Sequence, residues 1–97
     1  MTPLSVTCLY DLTAKPELRD AMEQALIALQ RAIRACEGCL GADLFVDTSD
    51  DTLFVFIEHW QTQDDRNASG AALGKGIFGP IIDAVPPRKR LLVSPSA

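Results

Sequence analysis

The most constraining feature of this sequence is a run of five apolar residues, 53–57, inside a predicted β-strand that extends to Trp60. Side chains of a strand alternate between the two faces of a sheet, so a strand that is apolar at every position is covered on both sides. A chain of 97 residues has room for about two helices, which cover only one face of a small sheet. We therefore expect a second subunit on the other face, which predicts a homodimer.

The apolar pattern along the chain predicts four strands in all. They cover residues 4–12, 39–47, 53–60 and 91–93. A polar cluster at residues 48–51 predicts a hairpin turn, which makes the second and third strands antiparallel neighbours. With a helix after the first strand and another before the last, this order predicts an α+β fold of ferredoxin-like type, a four-stranded antiparallel sheet with helices on one face. We expect a single domain over residues 1–97, with a core from about 4 to 93 and a short C-terminal tail at 94–97.

The two predicted helical regions differ in strength. Apolar residues at three-to-four spacing from Pro16 to about Ala35 predict a first amphipathic helix, which Gly38 ends as a C-cap glycine. The polar stretch 61–67 predicts one or two helical turns. Residues 71–84 have helical spacing despite several glycines, each of which costs a helix about 1 kcal/mol relative to alanine. A proline pair follows, so we expect residues 71–84 to form a weak third helix that could act as a lid.

Composition excludes several classes of partner. The chain is 47% hydrophobic and 23% charged, which is typical of a globular protein, and its net charge is −4 at pH 7. A negative chain is a poor match for nucleic acid or an anionic membrane, because both require a basic surface. No apolar run approaches the roughly 20 residues that span a bilayer, and the N-terminus lacks a signal-peptide pattern. We therefore expect a cytoplasmic protein with no nucleic-acid and no membrane partner.

The three cysteines, in a chain without an export signal, predict reduced thiols rather than a disulfide framework. Cys36 and Cys39 match C-x-x-C, but redox dithiols lie at helix N-termini, where the helix dipole lowers the thiol pKa. This pair falls at the C-terminus of the predicted first helix. Cys8 and His59 bring the possible zinc ligands to four, yet the ligands are scattered, so we expect no metal site.

Several short segments resemble the antibiotic biosynthesis monooxygenase (ABM) superfamily. They are Lys15-Pro16 after the first strand, Glu-Gly-Cys-Leu-Gly at residues 37–41, and Phe-Val-Phe-Ile-Glu-His-Trp at residues 54–60 followed by a polar helix. The likeness extends from about residue 6 to residue 93. It implies a dimeric α+β barrel, in which some members oxygenate quinols or polycyclic phenols without metal or flavin, while others degrade haem.

The chain departs from the family at positions that many members use. A histidine nine residues after the strand-three tryptophan, and often another five residues further on, correspond here to Ser69 and Gly74. The asparagine of the haem-degrading branch corresponds to Tyr10, and its tryptophan and histidine correspond to Ser69 and Gly79. The resemblance therefore excludes haem degradation.

Two side chains are candidates for catalysis. His59 is the only histidine, and its unperturbed pKa near neutrality makes it the obvious general base. Alternation along the third strand puts it on the face opposite Phe56 and Trp60, so the alternative is a histidine in the dimer interface. Tyr10, on the more apolar face of the first strand, could hold a substrate phenolate or oxyanion in a dry cavity. Its alternative role is that of an ordinary core tyrosine.

Three aromatic residues, Phe56, Trp60 and Phe78, predict flat walls for an aromatic ligand, although such a set is more often simply core. Glu58, at the end of the same buried strand, needs a partner because an unpaired buried carboxylate is costly. We expect Arg88 or Arg90 across the dimer to supply it, with a catalytic carboxylate as the alternative.

These expectations lead to one function and its rivals. The leading hypothesis is a cofactor-independent monooxygenase that acts on a quinol-like or polycyclic aromatic small molecule, with no bound cofactor. The alternative is a non-catalytic dimeric module of the same fold that binds a small aromatic ligand. A third possibility is a cavity filled by side chains, which would make the dimer a structural partner for another molecule.

Overall fold

The computed structural model describes residues 5–73 and 85–93 of the chain. Its elements are strand β1 (Val6–Thr13), a 3-10 turn (Pro16–Leu18), helix α1 (Arg19–Arg34), strands β2 (Cys39–Val46) and β3 (Leu53–Trp60), helix α2 (Gln63–Leu73) and strand β4 (Val85–Val93). The strands form one sheet in the order β2-β3-β1-β4, and every neighbouring pair is antiparallel. This topology confirms the predicted ferredoxin-like α+β fold.

Helix α1 forms where the sequence predicts it and provides most of one side of the core. Pro16 opens the 3-10 turn that leads into it, and Gly38, at φ +82°, lies in the turn that follows it. Its buried side chains recur at spacings of four, three and four residues: Met22, Leu26, Leu29 and Ile33. Burial of one such side chain contributes about 1.5–3 kcal/mol, so this face holds the helix on the sheet.

The helices cover one face of the sheet, which we call the helix-covered face. On β3 this face carries Phe54, Phe56, Glu58 and Trp60, all buried. The three aromatic rings belong to the same core cluster as the α1 side chains. The guanidinium of Arg19 lies over the Phe54 ring, 5.3 Å from its centroid, at the edge of that core. The apolar side of α1 therefore packs onto the aromatic residues of this face.

The opposite side of the sheet, which we call the open face, carries the other half of β3. Its members on β3 are Leu53, Val55, Ile57 and His59, and directly paired residues on neighbouring strands share the face. Phe45 pairs with Val55 and is 55% exposed, while Leu92, paired with Thr7, is 42% exposed. In the single chain, the open face thus presents large apolar side chains that the described helices do not cover.

Two elements differ from the sequence-based prediction. Helix α2 is continuous from Gln63 to Leu73, where we predicted one or two polar turns and then a separate helix at residues 71–84. Thr62 explains its start, because the Thr62 hydroxyl accepts the Asp65 backbone N–H at 3.1 Å as an N-cap. The remainder of the predicted glycine-rich helix, residues 74–84, lies outside the described residues.

Strand β4 begins at Val85 rather than at residue 91, so the proline pair at residues 86–87 lies inside it. Prolines are tolerated there because β4 is an edge strand, which pairs with β1 alone in the described part of the chain. The register between the two strands also shifts between Asp11 and Thr13, next to the prolines. Within residues 5–73 and 85–93, no helix is both long and apolar enough to cross a membrane.

Candidate functional site

Tyr10 lies in the middle of β1 on the helix-covered face, opposite Phe56 of β3. The two rings are tilted by 56° with their centroids 6.4 Å apart, within the range in which aromatic rings attract. Alternation along β1 directs Val6, Cys8 and Leu12 to the same face, and all three are buried. The phenol is therefore a polar group set among apolar neighbours.

Arg66 of α2 reaches the phenol from the helix side. Its Nη2 donates a hydrogen bond to the Tyr10 hydroxyl at 3.2 Å, and its Nε is buried without a hydrogen-bond partner in the described part of the chain. The Ser69 hydroxyl donates to the Arg66 carbonyl at 2.7 Å within the same helix. On the helix-covered face, the Tyr10 phenol therefore lies next to the Arg66 guanidinium, whose Nε is a further hydrogen-bond donor.

The electrostatic surroundings keep the Tyr10 phenol protonated. Burial raises the pKa of Tyr10 above its ordinary value, and the nearby Glu58 carboxylate and Cys8 raise it further. The hydrogen bond from Arg66 acts in the opposite direction and does not cancel the effect. Tyr10 is thus a hydrogen-bonding group at neutral pH, not a base.

Glu58 and Trp60 form a second polar contact next to this site. The indole Nε1 of Trp60 donates to Glu58 Oε1 at 2.9 Å, with both residues buried. The Glu58 carboxylate therefore has a partner within its own chain. Arg90, one of the two arginines that we expected to reach Glu58 across the dimer, forms an ion pair with Asp11 of its own chain at 3.4 Å, and the side chain of the other, Arg88, lies outside the described part.

His59 lies on the open face and not with the other predicted site residues. Its Nδ1 shares a hydrogen bond of 3.2 Å with the Thr7 hydroxyl, and its Nε2 is 3.6 Å from an oxygen of Asp43. His59 and Tyr10 project to opposite faces because Tyr10 pairs with Phe56, and positions 56 and 59 differ by an odd number of residues. One chain therefore does not bring the two predicted catalytic residues together.

The predicted aromatic walls are only partly described. Phe56 and Trp60 lie on the helix-covered face and are both buried in the core cluster. Phe78 lies outside the described residues. Arg66 is the site residue that the sequence analysis missed. The available signal was a cation six residues after Trp60, in the polar segment predicted to be helical.

A surface depression of about 530 Å³ occurs elsewhere, at the end of the sheet formed by the β2–β3 hairpin and the C-terminal end of β1. Phe45, Leu53 and Val55 are among its lining residues, whereas Tyr10, Arg66 and His59 are not. We therefore do not assign the site to this depression. Among the described residues, no group of three or more His, Cys, Asp or Glu side chains could hold a metal ion.

Comparisons with known proteins agree with the fold. Solved structures with the same fold include PA3566 from Pseudomonas aeruginosa, with 25% identity over 97% of both chains and a TM-score of 0.83. SnoaB, a cofactor-independent oxygenase from Streptomyces nogalater, has 15% identity over 94% of this chain and 93% of its own, with a TM-score of 0.80. Rv0793 from Mycobacterium tuberculosis has 17% identity over 91% of this chain and 92% of its own, with a TM-score of 0.77.

Sequence comparison adds the family. No curated protein matches the chain. The family model for antibiotic biosynthesis monooxygenase matches residues 5–71, which include β1, α1, β2, β3 and most of α2. Both Tyr10 and Arg66 fall inside the matched region. The chain therefore belongs to the antibiotic biosynthesis monooxygenase family.

Proposed function

We propose that this protein is a cofactor-independent monooxygenase that acts on a quinol-like or polycyclic aromatic small molecule, with Tyr10 and Arg66 holding the substrate oxygen. The observation that carries this proposal is the 3.2 Å hydrogen bond from Arg66 to the Tyr10 phenol beside aromatic residues. Membership of the family supports the reaction class. The similarly folded SnoaB is a cofactor-independent oxygenase, which adds support for the absence of a cofactor.

The reaction requires a substrate that supplies its own electrons. The substrate loses a proton to give an electron-rich phenolate or enolate, which passes one electron to dioxygen. The substrate radical and superoxide combine into a peroxide anion, which takes up a proton to become a hydroperoxide, and loss of water leaves a carbonyl. The balance is CH₂ + O₂ → C=O + H₂O for an anthrone-like carbon. The protein has to bind the anion, exclude water and stabilise negative charge on oxygen.

Arg66 and Tyr10 match those requirements. A guanidinium within contact distance of a substrate hydroxyl favours its anionic form, so it lowers the pKa of the substrate. The Tyr10 phenol stays protonated because its own pKa is raised, and its hydroxyl hydrogen can turn toward an oxyanion. The Arg66 Nε, which has no hydrogen-bond partner among the described residues, offers one more donor. Phe56 provides an apolar wall beside the phenol, and Trp60 lies further along the same face of β3. Phe78, the third wall residue predicted from the sequence, lies outside the described residues.

The protein acts as a homodimer in this proposal. The open face carries Phe45, Leu53 and Leu92, which are large apolar side chains exposed in the single chain. Packing of two such faces would bury them and would form the α+β barrel that the sequence analysis expects. His59 would then lie in the interface.

That placement gives His59 a competing role. With Asp43 3.6 Å from its Nε2 and Thr7 on its Nδ1, the ring is held in one orientation, and one nitrogen would have to release its partner to act as a general base. If the substrate binds between the two sheets of the dimer, His59 rather than Tyr10 is the catalytic residue.

A second candidate function is a non-catalytic module that binds a small aromatic ligand. The observation that favours it is the raised pKa of Tyr10, which prevents the phenol from acting as a base near neutrality. Ser69 stands where many family members have a histidine, and its hydroxyl is occupied by the Arg66 carbonyl. A ligand that already binds as an anion would then be held without being oxidised.

The test is oxygen uptake by purified, metal-stripped protein with hydroquinones and anthrone-like phenols, each compared with its spontaneous oxidation. We expect uptake above background that falls at least tenfold in Arg66→Gln and Tyr10→Phe and is kept in His59→Ala. The matched control is Arg31→Gln, which removes an exposed arginine from α1. Loss of uptake in His59→Ala alone would move the site to the dimer interface. Ligand-induced thermal stabilisation without uptake would establish the binding module instead.

A further inference from the structure

The turn between α1 and β2 brings two thiols together. Its four residues run from Cys36 to Cys39, and the Cys39 backbone N–H donates to the Cys36 carbonyl at 3.3 Å. A hydrogen-bonded turn of this kind keeps its first and last Cα atoms within about 7 Å. Disulfides form between Cα atoms roughly 4.4–6.8 Å apart, so the turn is compatible with the Cα separation that a disulfide requires.

The two side chains also contact the same part of the protein. Both are partly buried, and both pack against the core cluster beneath α1. Each thiol donates to a carbonyl of its own segment at 3.4 Å, Cys36 to Ala32 and Cys39 to Gly41. Such S–H···O hydrogen bonds are weak, so rotation of the two thiols toward each other costs little free energy.

Neighbouring residues hold the turn in place. The Gly38 carbonyl accepts the Gln61 backbone N–H at 2.8 Å, and a Cβ atom at Gly38 would collide with the Asp65 side chain. The turn is therefore clamped against the start of α2. A clamped turn keeps the thiols close before any reaction, which raises their effective concentration.

We propose that Cys36 and Cys39 are a redox modification site that forms a reversible disulfide within the turn when a hydroperoxide is present. One thiol reduces the peroxide and becomes a sulfenic acid, with release of water from hydrogen peroxide. The second thiol attacks that sulfur, which forms the S–S bond and releases a second water. Overall, two thiols and one hydrogen peroxide give one disulfide and two waters. The site does not depend on the proposed oxygenase activity.

This pair differs from a thioredoxin-type dithiol. It lies at the C-terminal end of α1, where no helix dipole lowers a thiol pKa. Burial raises the pKa of the Cys39 thiol, and Cys36 contributes to that rise. The thiolate is the reacting form, so oxidation of the pair becomes faster as the pH rises.

Peptide mapping tests the proposal on the intact folded protein. Cleavage after arginine and lysine leaves Cys36 and Cys39 together in residues 35–66, whereas Cys8 lies in a different peptide. After treatment with hydrogen peroxide, we expect peptide 35–66 to lose two hydrogen atoms and to regain them with dithiothreitol. Cys36→Ser and Cys39→Ser should abolish the loss, and Cys8→Ala should keep it. Circular dichroism confirms that each variant is folded.

Several outcomes would overturn the proposal. They are sulfinic acid without disulfide, a disulfide to Cys8 or to a second chain, and an unchanged loss of hydrogen in Cys36→Ser. A folded protein whose peptide 35–66 stays reduced, under conditions that oxidise the same chain in denaturant, would equally contradict it.

Discussion

Substitution of Gly38 by alanine is expected to destabilise the protein strongly. Gly38 has φ +82°, a conformation that costs an L-residue about 1–2 kcal/mol. The added Cβ atom would also displace the Asp65 side chain. Asp65 and Thr62 exchange the hydrogen bonds that cap α2, worth about 1 kcal/mol. Together, these effects predict a loss of about 2–3 kcal/mol in the free energy of unfolding.

The chain offers a matched control in Gly41→Ala. Gly41 is in β2 and does not have a positive φ, and a Cβ atom there would meet His59 at 3.8 Å, an ordinary contact. We expect that variant to stay within about 1 kcal/mol of wild type. For a domain of this size, 1 kcal/mol shifts the melting temperature by roughly 4–8 °C. Thermal unfolding at one protein concentration should therefore show that Gly38→Ala melts about 10–20 °C below the wild-type protein. Equal melting temperatures for the two variants would refute the reasoning.

Two further predictions concern ionisation and assembly. Tyr10 is the only tyrosine, so phenolate absorbance reports it alone, and no phenolate should appear until the protein unfolds at alkaline pH. The pKa of Tyr10 is higher in the folded than in the unfolded protein, where it is about 10. Tyr10 therefore contributes its full stabilisation below about pH 10, and this contribution is lost as the pH rises further. Tyr10→Phe should remove this part of the decrease in stability at alkaline pH. Phe45→Asp should convert the proposed dimer to monomer in sedimentation experiments, while Arg31→Asp on α1 should leave it dimeric. A reversible phenolate titration of folded protein, or a Phe45→Asp protein that stays dimeric, would contradict these predictions.

The sequence predicts most of the fold because buried strands and helices each require a regular spacing of apolar residues. Strand β3 is apolar on both faces, and the structure confirms its bounds at Leu53 and Trp60. Helix α1 also follows from its apolar spacing, since all four of its buried side chains lie on one stripe. The separation of His59 from Phe56 and Trp60 likewise follows from alternation along a strand.

What the sequence does not predict depends on contacts between distant segments. Arg66 becomes a site residue only because α2 folds back onto β1, 56 residues earlier in the chain. The polar segment around Arg66 lacks apolar residues at helical spacing, so the sequence does not predict which side of α2 faces the sheet. The predicted start of β4 was wrong because a proline pair usually ends a strand. In an edge strand, however, the N–H groups that prolines lack are not needed for pairing.

The most direct test of the account is oxidation of an anthrone-like phenol under isotopically labelled dioxygen, with mass analysis of the product. The account predicts one labelled oxygen atom per product molecule with the wild-type protein, and at least tenfold less labelled product with Arg66→Gln. Absence of label, or equal labelled product from wild type and Arg66→Gln, would contradict a monooxygenase site built on Tyr10 and Arg66.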